Sequence, residues 1–337
     1  MDSKADRNLA PEWLAHRFDE SRNEVRFVDY DRAARSAAPF LTDDYLPSRE
    51  YRAEPRDRAK VLAPPAAPIH FIFHSGFCCS TLFAQCFDQP GLATVFSEPM
   101  ILNDAVGWRK RGAPPVEVGR LVDDALALLA RPFEGDQAAL VKPSTVVNGL
   151  APAMMGIRAD ARAITMYAPV EDFVTSIAKK GLEGRLWVRE LFLNMRRDGL
   201  LGALGFSDEQ FFGQTDLQIA GAVWLGQQSL FRDLMARFPE RVRSLDSTAF
   251  LAGPAAAIDA AGEFFGLTVT PDHIRAAERG PLSRNSKDRK RYSRGAREAE
   301  YRAARAAYGD EIDKVAVWAR AVSDSAGLPL KLDQPLV

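Results

Sequence analysis

The stretch FIFHSGFCCSTLF, residues 71–83, restricts what this chain can fold into more than any other segment. Ile69 to Phe73 is a short apolar, aromatic-rich run of strand type. Ser75-Gly76 interrupts it, and apolar residues at 82, 83, 86 and 87 then mark one face of a helix. Strand, glycine turn and helix in that order open a doubly wound sheet. The first turn of a helix presents unpaired N–H groups and partial positive charge, so such a corner is an anion site. Gly76 allows a sharp turn and close approach of a ligand. Ser80 and Thr81 fall where the helix should start, so their hydroxyls either cap it or donate to phosphate oxygens.

The same alternation continues. Strand candidates lie at 93–96, 138–141, 163–167 and 242–245, with helical patterns at 117–130, 171–180, 185–197 and 216–238. Strands alternating with helices predict a parallel sheet with right-handed crossovers. Residues 1–67 read as a short helix and an extended arm, with scattered aromatics at Trp13, Phe18, Phe27 and Tyr30, ending in the proline-stiffened linker 63–68. Residues 68–295 form the expected α/β domain, and 296–337 a C-terminal extension of one or two surface helices.

Charge and cysteine content narrow the function classes. The formal net charge is -1, so any anion site must be a local concentration of donors and not a basic surface for nucleic acid. Cys78, Cys79 and Cys86 are the only cysteines, which is no disulfide framework and suits a reducing compartment. MDSKADRNLAPEW lacks the apolar core of an export signal, and no apolar run approaches a membrane span. A cytoplasmic protein without membrane insertion is expected. His74 with Cys78 and Cys79 invites a zinc reading, but no second Cys or His pair stands at ligand spacing, so no metal is expected.

A nucleotide-hydrolysing loop would read G-x-x-x-x-G-K-[ST]. Here Phe77, Cys78 and Cys79 fill the middle, and no lysine precedes Ser80-Thr81. Lys142 follows the strand at 138–141, where a magnesium site would want an aspartate. Both departures favour a metal-free transfer over ATP hydrolysis.

Six segments in order resemble the sulfotransferase family that uses 3′-phosphoadenosine-5′-phosphosulfate (PAPS). FIFHSGFCCSTLF is similar to the loop binding the 5′-phosphosulfate, VFSEPMILND to the Ser-Glu-Pro segment of bacterial members, and LVKPS to the segment after the third strand. MYAPVEDFVTS resembles the element that binds the 3′-phosphate, RVRSLDSTAFLAGPAAAIDAAGEFFGL the late strand and helix, and RGPLSRNSKD the basic C-terminal loop. The resemblance spans roughly residues 68–291. It implies a P-loop-like three-layer α/β/α fold with a central parallel sheet of about five strands, flanked by the N-terminal arm and C-terminal helices. Two positions depart from the family. Phe77 stands where the loop normally carries a cation, and Tyr167-Ala168 precede Pro169 where an arginine is usual. Lys142, Lys179, Lys180 and Arg185, near predicted strand ends, would restore charge.

The resemblance also implies roles. Ser75, Gly76, Phe77, Cys78, Cys79, Ser80 and Thr81 would hold the 5′-phosphosulfate, and Ser176 with Arg284, Ser286 and Lys287 the 3′-phosphate. Glu98 would take the acceptor's proton, and Lys142 would steady the bridging oxygen or the acceptor. The plainer reading of Glu98 is a first-turn carboxylate behind a Ser97 cap. His74 would act as a base or touch the sulfonate; the plainer reading is a strand-ending histidine bonded to backbone. The acceptor would be a small molecule, carbohydrate or peptide, with Trp187, Phe192 and Phe212 as pocket candidates. Two alternatives stay open: a degenerate P-loop kinase and a non-catalytic nucleotide-binding protein.

Overall fold

The computed structural model describes residues 9–46, 51–63, 66–284 and 294–337. β1 (Trp13–Asp19), β2 (Glu24–Asp29) and β3 (Tyr51–Pro55) form an antiparallel sheet in that order. Short helices are present at Arg32–Ala37 and Arg56–Leu62, and the expected extended arm is here a β-meander. The alternation of WLAHRFD and EVRFVD explains it, because period-two spacing puts Leu14, Phe18, Val25 and Phe27 into a core. Asn23, with φ +52°, turns the chain between the first two strands. A register shift between Ala15 and Arg17 blurs the alternation around His16.

The main sheet has five parallel strands: β4 (Ile69–His74), β5 (Ala93–Ser97), β6 (Ala138–Lys142), β7 (Ala163–Tyr167) and β8 (Val242–Asp246), in spatial order β5-β6-β4-β7-β8. Each predicted strand is present to within one residue at either end. β5, β6 and β7 are buried along their whole length, which is why they read as continuous apolar runs instead of alternating ones. The order places β4 between strands that follow it in opposite directions. The segment after β4 therefore sits at the switch point, where open α/β sheets bind ligands.

The chain divides into two compact units: residues 1–73, 81–163 and 258–289, and residues 74–80, 164–257 and 290–337. In the first, Phe71, Phe83, Phe87, Leu121, Leu126 and Met154 are buried, and Arg17 of β1 pairs with Asp104 of the helix Met100–Lys110 at 2.9 Å. In the second, the helices Val170–Lys179, Gly181–Arg197, Asp216–Arg237 and Arg294–Ala326 pack together. The last is a single 33-residue helix, with Ile312, Val315, Ala316, Ala319 and Val322 on its buried face. Among the described residues no helix is long and apolar enough to cross a membrane.

Candidate active site

The loop between β4 and the helix Ser80–Gln85 is held in a conformation that most side chains avoid. Gly76, Phe77 and Cys79 have φ of +85°, +52° and +62°. A left-handed residue other than glycine costs on the order of 1 kcal/mol or more, and such positions persist where the surroundings impose them. The surroundings here are explicit. Ser75 N–H donates to Met166 O at 3.0 Å and Cys78 Sγ to the same carbonyl at 3.3 Å. Gln227 Nε2 donates to Ser75 O at 3.0 Å, and Gly76 N–H donates to His74 Nδ1 at 3.1 Å. Turned backbone of this kind is the geometry of anion-binding nests, while the Ser75 and Gly76 N–H groups are taken up by Met166 and His74. Ser80 and Thr81 are buried in the first helical turn.

His74 ends β4, is buried, and accepts the Gly76 N–H, the contact that the plainer reading expects. Phe77 packs edge-on against Trp187 at 5.1 Å and Phe173 at 6.0 Å, so aromatic packing wedges the loop. Cys79 is half-exposed and Cys78 buried. Burial pushes the Cys86 thiol up, so it remains protonated at neutral pH.

A second cluster lies at the ends of β5 and β6. Glu98 has φ +55°, and its N–H donates to Lys142 O at 2.6 Å. Lys142 Nζ donates to Glu98 Oε1 at 2.6 Å; the lysine is fully buried and the carboxylate 20% exposed. The helix that follows begins at Met100, with Pro99 as its cap residue and no side-chain cap bond. Among the described residues, buried Ser97 Oγ has no hydrogen-bond partner. The first-turn reading of Glu98 therefore does not describe the structure: the residue is left-handed, outside the helix, and bonded across the sheet edge. Phe40 adds an aromatic face 5.3 Å from Lys142 Nζ.

Ser176, on the helix Val170–Lys179, is buried and bonded to Tyr301 Oη of the helix Arg294–Ala326 at 2.7 Å. Lys179 Nζ lies 5.3 Å from the Tyr301 ring and 2.8 Å from Glu300. Lys180 pairs with Glu183 at 3.1 Å, and Arg185 with Glu311 at 3.2 Å. Arg284 is exposed just after the short turn Pro281–Ser283. Ser286 and Lys287 lie outside the described residues. Of the aromatic pocket candidates, Trp187 meets Phe77, Phe192 packs on Phe211 at 5.0 Å, and Phe212 is 89% exposed.

Sequence reasoning missed Phe40, Gln227 and Tyr301. Each reaches its partner across 100 residues or more, and only three-dimensional pairing reveals it.

No family model and no curated protein matches the chain. Sulfotransferases are among the solved structures that the chain resembles. The sulfotransferase domain from the curacin biosynthetic pathway is 12% identical, with TM-score 0.41 over 66% of this chain and 81% of that one. The sulfotransferase domain of the Synechococcus PCC 7002 olefin synthase is 14% identical, with TM-score 0.42 over 69% and 83%. A sulfotransferase from Alicyclobacillus acidocaldarius is 16% identical, with TM-score 0.33 over 62% of this chain and 88% of that one.

Proposed function

We propose that the protein is a PAPS-dependent sulfotransferase that moves a sulfonate to a hydroxyl or amine. One observation carries the reading: of five non-glycine residues with left-handed backbone among those described, three are Phe77, Cys79 and Glu98, all at the motif positions. Strain held at those positions is what a preorganised transfer site requires.

The residues present suit the donor. The turned loop offers Ser80 and Thr81 to the 5′-phosphosulfate, and buried Ser176 offers a hydroxyl to the 3′-phosphate. PAPS supplies an electrophilic sulfonate on a phosphate leaving group. Glu98 takes the proton of the attacking hydroxyl or amine. Lys142 holds the carboxylate in position, and its charge opposes the negative charge that develops during transfer. Lys179 on the Ser176 helix and its cap residue Lys180, which pair with Glu300 and Glu183, are the cations that would stand in for those missing at Phe77 and Tyr167-Ala168.

Thermal unfolding with adenosine 3′,5′-bisphosphate, with ATP plus magnesium, and with neither tests the reading. A ligand at one hundred times its dissociation constant adds about 2.7 kcal/mol. Stabilisation by the bisphosphate alone is expected. Stabilisation by ATP–magnesium alone points to a kinase and overturns the reading. Bisphosphate binding without transfer of labelled sulfonate to any acceptor points to a non-catalytic nucleotide-binding protein.

A further inference from the structure

The helix Arg294–Ala326 is held by two different kinds of contact along its length. Its C-terminal half is anchored by apolar burial, with Ile312, Val315, Ala316, Ala319 and Val322 all withdrawn from water. Over residues 299–311, by contrast, Ala304 alone is buried, and its neighbours are exposed or half-exposed.

What holds that N-terminal half is polar, and it falls on the residues assigned to the 3′-phosphate. Tyr301 Oη lies 2.7 Å from Ser176 Oγ, and Lys179 Nζ donates to Glu300 Oε2 at 2.8 Å while standing 5.3 Å from the Tyr301 ring. Further along, Arg185 donates to Glu311 at 3.2 Å and lies 5.8 Å from the Tyr308 ring. All these residues belong to one compact unit. An oxygen on the Lys179 ammonium and an oxygen on the Ser176 hydroxyl are the contacts that a phosphate would make at the same place. The Lys179 and Glu300 side chains are 32% and 62% exposed, so their pairing is weak and open to competition.

Gly309 lies between the two halves. Nothing stands within 4 Å of the position that its Cβ would take, so no neighbour requires a glycine there. Inside a helix, glycine lowers the stability of the helical state about fivefold relative to alanine. The helix therefore has a weak point in its backbone where apolar anchoring gives way to polar contacts, which is the composition of a segment that opens locally.

We propose that residues 299–308 are a latch that occupies the protein's own 3′-phosphate site, Glu300 and Tyr301 standing where phosphate oxygens would bind, and that a dianionic phosphate monoester displaces them as the helix unwinds N-terminal to Gly309. The identity of the ligand rests on the sulfotransferase reading. The latch is a selectivity device. A nucleotide bearing a 3′-phosphate competes directly with Glu300 for Lys179, whereas one without it gains nothing from opening the helix. Affinity for the first is its intrinsic value reduced by the fraction of molecules with the latch open.

Amide hydrogen exchange of the full chain, read over 299–308 and over 312–322, tests the latch, with binding followed by calorimetry in the same samples. Saturating adenosine 3′,5′-bisphosphate should speed exchange over 299–308 by about threefold or more and leave 312–322 unchanged; adenosine 5′-monophosphate should alter neither. Gly309→Ala, which changes no charge, should slow exchange over 299–308 and weaken the bisphosphate, each by up to about fivefold. Glu300→Gln should do the reverse, tightening the bisphosphate ~2- to 3-fold. Bisphosphate that binds yet protects 299–308, or leaves its exchange unchanged, overturns the latch alone, as does wild-type affinity in Gly309→Ala. Absence of bisphosphate binding in wild type and in Glu300→Gln alike overturns the sulfotransferase reading, and the latch's ligand with it.

Discussion

Lys142 Nζ donates to Glu98 Oε1 at 2.6 Å, while Glu98 N–H donates back to Lys142 O at 2.6 Å, so the two residues clamp adjacent strand ends through side chain and backbone together. The pair is unequal, because the ammonium is fully buried and the carboxylate partly solvated.

That inequality predicts unequal mutants. Glu98→Ala removes the carboxylate paired with a buried ammonium and should cost about 3 kcal/mol, whereas Lys142→Met leaves a partly solvated carboxylate and an apolar side chain of similar volume, costing about 1 kcal/mol or less. Urea unfolding of the two variants checks the order, and equal losses would mean the pair is not asymmetric in solution. Glu98→Gln should keep bisphosphate binding and lose transfer by a factor of about 100 or more. Unchanged turnover would remove Glu98 from its role.

The left-handed residue at Cys79 yields a second prediction. Cys79→Gly should raise stability by about 1 kcal/mol by relieving the backbone, and the β-branched Cys79→Val should lower it by at least as much. If the turned loop is the anion nest, Cys79→Val should also weaken adenosine 3′,5′-bisphosphate, seen as a smaller ligand-induced shift in unfolding temperature. A valine variant of wild-type stability and affinity would show that the turn is not imposed by the fold.

These two clusters also show how far the sequence could be read. The strands of the main sheet were legible because parallel strands buried on both faces leave runs such as ALV and AITMY, which no surface element needs. β1 and β2 were not, because arginines and the shift near His16 break their period-two signal; the alternating flanks around Asn23 were the clue available. Ser97-Glu98-Pro99 could be picked out as a motif, yet its left-handed backbone could not, since a serine, a glutamate and a proline also spell an ordinary helix start. Phe40 beside Lys142 and Tyr301 against Ser176 depend on chain segments more than 100 residues apart, for which local pattern carries no information.

The Ser176–Tyr301 bond gives a third prediction. If Ser176 holds the 3′-phosphate, Ser176→Ala should weaken adenosine 3′,5′-bisphosphate by ~5- to 10-fold and leave adenosine 5′-monophosphate unaffected. The difference between the two ligands isolates the 3′ contact from any general loosening of the helix pair. Equal weakening of both nucleotides would assign Ser176 a packing role. Tyr301→Phe, which deletes one hydroxyl from the 2.7 Å pair, should itself cost about 1 kcal/mol of stability.

The last prediction concerns pH and uses a residue away from the site. His70 on β4 is buried, stacks on Phe265 at 5.2 Å, and accepts the Arg162 N–H at Nδ1. Burial first, and then the Arg162 charge, hold its pKa down to about 4 from the model-peptide value of 6.5. The folded protein therefore binds the proton less readily than the unfolded chain does. Between about pH 6.5 and pH 4 the unfolded state carries more protons, so acidification through that window favours unfolding. Above pH 6.5 the contribution is constant, and below about pH 4 the loss is complete, on the order of 3 kcal/mol. Urea unfolding from pH 7.5 to pH 4 should show this slope. His70→Gln, which keeps an acceptor for the Arg162 N–H without a titrating ring, should be less stable at neutral pH through lost packing yet flatter across the window. A variant with the same acid-side slope as wild type would mean that another group controls it.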